Sequence, residues 1–498
     1  MMPTVYDFIL FILFLWVIIY LFYKYKFTYW KKRGVPFRKP LPIVGNILDL
    51  VLSNKPLPTY FADLYKNAEG PYFGFYSSWR PYLLIKDPDL IRRILIKDFN
   101  SFPNRIFVSD EKLDPIFCNS LFGIKGHLWK DLRKKLSPVF TSGKIKAMTY
   151  LITECGKNLE EYLSTKSGEN LEMREVAAKY TTDVITSCAF GLNANSFAED
   201  SDFRYYGKLL FPTSWFSTLK SATYLFAPNF VKVFKFTFIN STAAQYFRKV
   251  FMETLERREK SKTKRNNLVD ILNEIKNQET SDDQIKFEGD KIVAQAVIFF
   301  GAGHDTTSST IGFTLHELSI NPDIQNKLRE EIKTVIDTHG GITYEAVQDM
   351  KYLHMVVSET LRKYPVTPIL HRECIEDYLI PETGLVIEKG TCIMISQMGL
   401  HLDSKHFSDP SRYNPERFSD ENKHDIPKYV YLPFGDGPRN CIGERFGLLS
   451  TKLGIIHVLK KFEVVKNSNT REPIVFSHSG ILLAKYGIQL TCKKLNTQ

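Results

Sequence analysis

Phe434-Gly435-Asp436-Gly437-Pro438-Arg439-Asn440-Cys441-Ile442-Gly443 is the stretch on which the reading of this chain turns. Behind it Phe446, Leu448, Leu449, Leu453, Ile455, Ile456, Val458 and Leu459 recur at helical spacing. Cys441 therefore stands just ahead of a helix N-terminus, where backbone N–H groups and the macrodipole favour a thiolate. Glycines on both sides let the backbone bend tightly and lie against a bulky group. A thiolate on such a loop is a metal ligand or a nucleophile. The loop holds no base for a nucleophile, whereas Arg439 offers a cation for an anionic group. Sulfur for iron and arginine for a propionate together fit haem. A lone cysteine is ordinarily an inert buried thiol, but five fixed positions coincide by chance in roughly one such chain in ten thousand.

The pattern Phe-x-x-Gly-x-Arg-x-Cys-x-Gly resembles the haem-binding motif of the cytochrome P450 family. The resemblance implies a mainly helical fold with small β-sheets, iron protoporphyrin IX as cofactor, and Cys441 as its metal ligand. Phe434, Arg439 and Gly443 fall on fixed positions of that motif.

A second stretch supports it. An apolar helix of about thirty residues is expected from Asp290 to Ile320, stopped at Asn321-Pro322. Its middle reads Ala302-Gly303-His304-Asp305-Thr306-Thr307. Glycine in a helix interior costs about 1 kcal/mol, so we expect the helix to open there for a ligand. The motif is similar to the family's oxygen-activation sequence, which implies that Thr306 hydrogen-bonds dioxygen and Asp305 feeds protons towards it.

The remaining motifs are weaker alone. Glu359 and Arg362 share a helix face at i, i+3, and the resemblance locks them with Arg417. Trp129 and Arg133 fit the family's Trp-x-x-x-Arg, which implies contact with the haem propionates. Arg372, after the apolar Pro365–Leu370 stretch, is a further propionate candidate, and Arg105 has the least support.

The totals agree. The 498 residues carry 66 basic and 55 acidic side chains, a net charge of +11. Part of that excess lies near the N-terminus, and with no nucleic-acid-binding motif it points to an anionic membrane surface. Seven widely spaced cysteines without a C-x-x-C argue against a disulfide scaffold, a zinc ribbon or covalent c-type haem. Phe8 to Tyr23 is free of charge and as a helix spans about 24 Å, a little short of a ~27 Å bilayer core; Val5 and Tyr6 extend it and Lys24 can snorkel, so a retained anchor is expected. It lacks the basic n-region and small-residue cleavage site of a signal peptide. Lys24, Lys26, Lys31, Lys32 and Arg33 follow it, so the body is expected in the cytosol. We divide the chain into an anchor (1–25), a basic proline-rich linker (26–45) and a catalytic domain (46–498).

Further along, Tyr72–Ser77 and Pro81–Ile85 predict a hairpin, and 102–122 a long irregular binding segment. Patterns over 145–190 and 243–276 predict helix. The aromatic-rich 211–239 stretch, interrupted by Pro212 and Pro228, reads as ordinary core, while the family resemblance implies equally a cover over the substrate channel that dips into the membrane. The charged 256–286 stretch reads as a solvated helix and linker.

The resemblance thus implies a microsomal monooxygenase in the endoplasmic reticulum membrane, similar to the insect xenobiotic-metabolising branch. Its substrate would be a lipophilic small molecule. Its electrons would come from NADPH through a flavoprotein reductase docking near Lys130, Lys134 and Lys135, with cytochrome b5 as a further partner. The rivals are a haem-thiolate isomerase or dehydratase, which tends to lack the Asp-Thr pair, and a non-catalytic haem or lipid carrier.

Overall fold

In the computed structural model, residues 5–107, 110–211, 214–261, 267–277 and 286–495 are described. The charged positions 262–266 and 278–285, and the breaker Pro212, lie outside them.

The central element is the helix Asp290–Ile320, with the bounds its sequence implies. Its apolar faces are buried nearly all round. Pro322 cannot continue the hydrogen-bond ladder and instead opens the next helix, Pro322–His339. Packed on the central helix are Met173–Ile185, Asp202–Leu210, Ser241–Ser261 and Glu444–Leu459.

The glycines within it have a packing role rather than the opening expected of them. The helix is continuous through Gly301 and Gly303. A Cβ on Gly301 would lie 2.5 Å from the Phe211 ring and 2.7 Å from Leu210, and one on Gly303 2.5 Å from Ile185. The two positions let neighbouring helices approach more closely than any side chain would allow.

Small sheets flank this helical body. Tyr72–Ser77 and Arg80–Ile85 form the expected hairpin, Arg80–Ile85 runs parallel to Cys392–Ser396, and Ile369–Glu373 closes the sheet antiparallel to the latter. A second sheet joins Asn170–Glu172, Gln489–Lys494 and Phe462–Lys466. It interrupts the helix expected over 145–190. The chain leaves Ser142–Thr165, turns through Gly168 at φ +86°, pairs Asn170–Glu172 with the C-terminal strand, and only then enters Met173–Ile185. The 243–276 stretch likewise divides into Ser241–Ser261 and Leu268–Asn277.

Among the described residues one helix, Val5–Lys26 at the N-terminus, is long and apolar enough to cross a membrane. The basic stretch after it folds onto the hairpin sheet. Trp30 is buried against Gly74, where a Cβ would come within 2.6 Å of the indole. The Tyr23 hydroxyl lies 3.0 Å from Ser78 Oγ, and the Phe22 ring meets Trp79 edge-on.

Of the aromatic stretch, Tyr224, Phe226, Val231 and Ile239 are buried, whereas Phe216, Phe230, Val233 and Phe234 are more than half exposed. It supplies core on one face and an apolar surface on the other.

Candidate functional site: a cysteine loop under the central helix

The loop that carries Cys441 is held by its own backbone. Cys441 N–H donates to Phe434 O at 2.9 Å, and Asn440 N–H to Gly437 O at 3.0 Å. The sharp bends precede the sulfur: Gly435 and Gly437 sit at φ +70° and +72°. A Cβ on Gly437 would lie 1.9 Å from Leu95 O. Gly443, at φ −91°, needs no such freedom and serves as N-cap of Glu444–Leu459.

Cys441 is the exposed member of the seven cysteines, all of them free, in a loop dense enough that burial still acts on its thiol. Burial pushes the thiol up, opposed by the Gly443 N–H, Arg133 and Arg105, which favour the thiolate. Arg133 grips the loop: Nη1 donates to Asn440 O at 2.9 Å and Nη2 to Asn440 Oδ1 at 2.8 Å.

Beside the sulfur four arginines crowd together. Arg439 stacks over the buried Trp129 ring, 4.4 Å from its centroid, and donates from Nη2 to Ile124 O. Arg372, on Ile369–Glu373, donates from Nη1 to His371 O. Arg105 donates to Phe122 O and lies 4.2 Å over the Phe122 ring. Burial, then Arg105, Arg372 and Arg133, pull Arg439 down to about 7; burial and Arg105 pull Arg372 down to about 9. A guanidinium keeps its proton in proteins, so the shifts express a demand for counter-charge.

The demand has an address. Arg439 Nε and Nη1 and Arg372 Nε are buried without a hydrogen-bond partner. A soft sulfur donor beside guanidiniums that call for carboxylates matches the two ends of haem, so the residues present fit that group.

The central helix crosses above the loop. A Cβ on Gly447 would come 4.0 Å from Thr307 Oγ1, and Phe140, 3.8 Å from a Cβ on Gly443, stacks on Phe299 at 5.0 Å. Thr306 donates from Oγ1 to Ala302 O at 2.7 Å. These two share a stripe that keeps accessible surface in an otherwise buried helix. Asp305 lies on another stripe, towards Met173–Ile185: its Oδ1 accepts from Arg174 Nη2 at 2.8 Å. Burial alone would raise this carboxyl, but His304 and Arg174 outweigh it and hold it below the usual range.

A family model for cytochrome P450 matches residues 35–492. The chain belongs to the cytochrome P450 family. It is 43% identical to cytochrome P450 6k1 of Blattella germanica, over 96% of this chain and 95% of that protein. Cytochrome P450 6j1 of the same species is 40% identical over 96% of each chain. Probable cytochrome P450 6g2 of Drosophila melanogaster is 37% identical over 93% and 94%. These relatives match the insect branch that the sequence resembles. As a cytochrome P450 the protein binds haem and is a monooxygenase.

Away from the cysteine loop, Glu359, Arg362 and Arg417 meet as expected. Arg362 Nε and Nη2 donate to both Glu359 oxygens at 2.7 and 2.8 Å, and Arg417 Nε reaches Glu359 Oε1 at 3.4 Å. Arg105, the least supported candidate, stands in the cationic cluster with the other three arginines. One feature escaped the sequence. Asp305 belongs to a network through Arg174, His304 and Arg204, joined by contacts between residues 131 and 100 positions apart, which leave no local signature.

Proposed function

We propose that this cytochrome P450 inserts one oxygen atom from dioxygen into a lipophilic small molecule, xenobiotic or endogenous, while the other atom leaves as water. Electrons come from NADPH through a flavoprotein reductase, with cytochrome b5 as a second donor. The observation that carries the reading is the set of unpaired, buried guanidinium N–H groups beside the Cys441 thiol.

Cys441 would supply the sulfur ligand to the haem iron. Arg439, Arg372 and Trp129 would hold the propionates, and Arg133 would add charge there while fixing the loop through Asn440. Phe434 and Gly443 shape the loop. Haem supplies the binding and reductive cleavage of dioxygen. The protein places the Thr306 hydroxyl and the Asp305 carboxylate at adjacent positions of the helix that crosses the cysteine loop, on different faces of it. Thr306 can release its bond to Ala302 O and turn the hydroxyl away from the helix backbone as donor and acceptor. Asp305 carries protons inward from the side of Arg174.

Val5–Lys26 anchors the protein in the endoplasmic reticulum membrane, and the exposed Phe216, Phe230, Val233 and Phe234 rest on lipid. Lys130 and Lys134, both exposed on Gly126–Leu136, together with Lys135, which lies over the Phe287 ring, offer the reductase a basic face.

The test is turnover of a lipophilic substrate with added reductase, NADPH and isotopically labelled dioxygen. Label in the product and strict NADPH dependence are expected. Product formed without NADPH or dioxygen would make the protein an isomerase and overturn the proposal.

A further inference from the structure

His304, one residue before Asp305, is fully buried and stacks on Phe300 with centroids 5.9 Å apart. Its two ring nitrogens face opposite partners. Nε2 lies 3.2 Å from Arg204 Nη1 on Asp202–Leu210. A guanidinium can only donate, so Nε2 carries the lone pair and the proton sits on Nδ1. That Nδ1 lies 3.3 Å from Asp305 Oδ1, too oblique for a full hydrogen bond, and has no other partner.

The groups packed around the imidazole are accounted for on every side. Met173–Ile185 contributes Arg174, paired with Asp305, and Glu175. Asp202–Leu210 contributes Arg204, held by both Glu175 oxygens at 2.9 and 2.6 Å, and Lys208 at the rim, 4.0 Å from Glu175. The central helix contributes Asp305 itself. Burial comes first in pulling His304 below its usual value; Asp305 opposes it, and the Arg204 and Arg174 guanidiniums add a smaller downward pull, so the ring is neutral at pH 7.

We propose that His304 is a positioning residue: its Nδ1–H holds the Asp305 carboxylate in place, and its Nε2 ties that carboxylate through Arg204 to the helix Asp202–Leu210. The same helix ends in Leu210 and runs into Phe211, the two side chains pressed against Gly301. The proton-carrying carboxylate is thereby coupled to an element that lies along the central helix one turn before Thr306. The proposal rests on the proton role assigned to Asp305 above.

Three substitutions separate the contacts. His304→Phe keeps the ring stacked on Phe300 and removes both polar contacts. His304→Asn keeps a donor where Nδ1 was and cannot reach Arg204. His304→Gln keeps an acceptor for Arg204 and lacks the Nδ1 donor. The first readout is an infrared pH titration of the carboxyl band that Asp305→Asn abolishes, which needs no turnover. Without the Nδ1–H the anion loses a donor, so the Asp305 midpoint rises in the Phe and Gln variants by about one pH unit and stays near wild type in Asn. The second readout is the pH profile of product formed per NADPH, whose acid limb should move up in the same two variants while KM for substrate is unchanged.

Equal midpoints in all three variants and the wild type would reduce His304 to a packing residue and overturn the inference. If Asp305→Asn instead leaves product yield per NADPH intact at every pH, the proton role of Asp305 fails. The infrared titration still decides whether His304 holds the carboxylate.

Discussion

Arg439 retains only 3% exposure with Nε and Nη1 unpaired, so replacing it separates two properties that usually travel together. Arg439→Met keeps most of the side-chain volume and removes a buried charge that has no ion-pair partner among the described residues. The haem-free protein should gain about 1–3 kcal/mol, seen as a higher unfolding midpoint, while haem binds more weakly in equilibrium titration. Loss of apoprotein stability together with unchanged haem affinity would contradict the assignment. Thr306 makes the second test at this scale. Thr306→Ala removes the hydroxyl bonded to Ala302 O and leaves the helix intact, alanine being the better helix former. Product per NADPH should fall about tenfold or more, with hydrogen peroxide rising to match; full coupling would mean that the hydroxyl only packs. Cys441 and Arg439 are legible in sequence because a ligand loop needs its donors at fixed spacing. The partners of His304 are not, because they meet only when distant segments pack, and Arg105 drew little support from its own loop for the same reason.

Among the elements, the central helix was readable to its ends, since an apolar run closed by Asn-Pro leaves little freedom. The purpose of its glycines was not, because the neighbours that require them, Phe211, Leu210 and Ile185, come from elsewhere in the chain. The break within 145–190 was hidden for the same reason: Asn170–Glu172 becomes strand through pairing with Gln489–Thr491, and tertiary pairing overrides a helical pattern. Close approach also seats the helix behind the cysteine loop. A Cβ on Gly156, in Ser142–Thr165, would lie 2.1 Å from His457 Cδ2 in Glu444–Leu459. Gly156→Ala should therefore destabilise the haem-loaded protein by about 1–3 kcal/mol, and His457→Ala in the same chain should recover part of the loss. A thermal unfolding midpoint unchanged by Gly156→Ala alone would show that the two helices can separate without cost.

At the scale of the whole molecule the anchor and the body are one packed unit at their junction. The linker expected over 26–45 is folded onto the sheet through Trp30, and the anchor's last turn touches the hairpin through Phe22 and Tyr23. Deleting residues 1–20 spares those contacts and should release the protein from anionic vesicles only in part. Phe216, Phe230, Val233 and Phe234 still present more than half of their surface, and the basic stretch remains. Complete release at low salt would remove the second lipid contact from the account. Everything else depends on the sulfur. In the reduced, carbon monoxide-treated protein the account predicts the red-shifted Soret band of thiolate ligation for wild type. With Cys441→Ser that band should be lost even when haem is retained. A red-shifted band that survives in Cys441→Ser would place the ligand elsewhere and contradict the central claim.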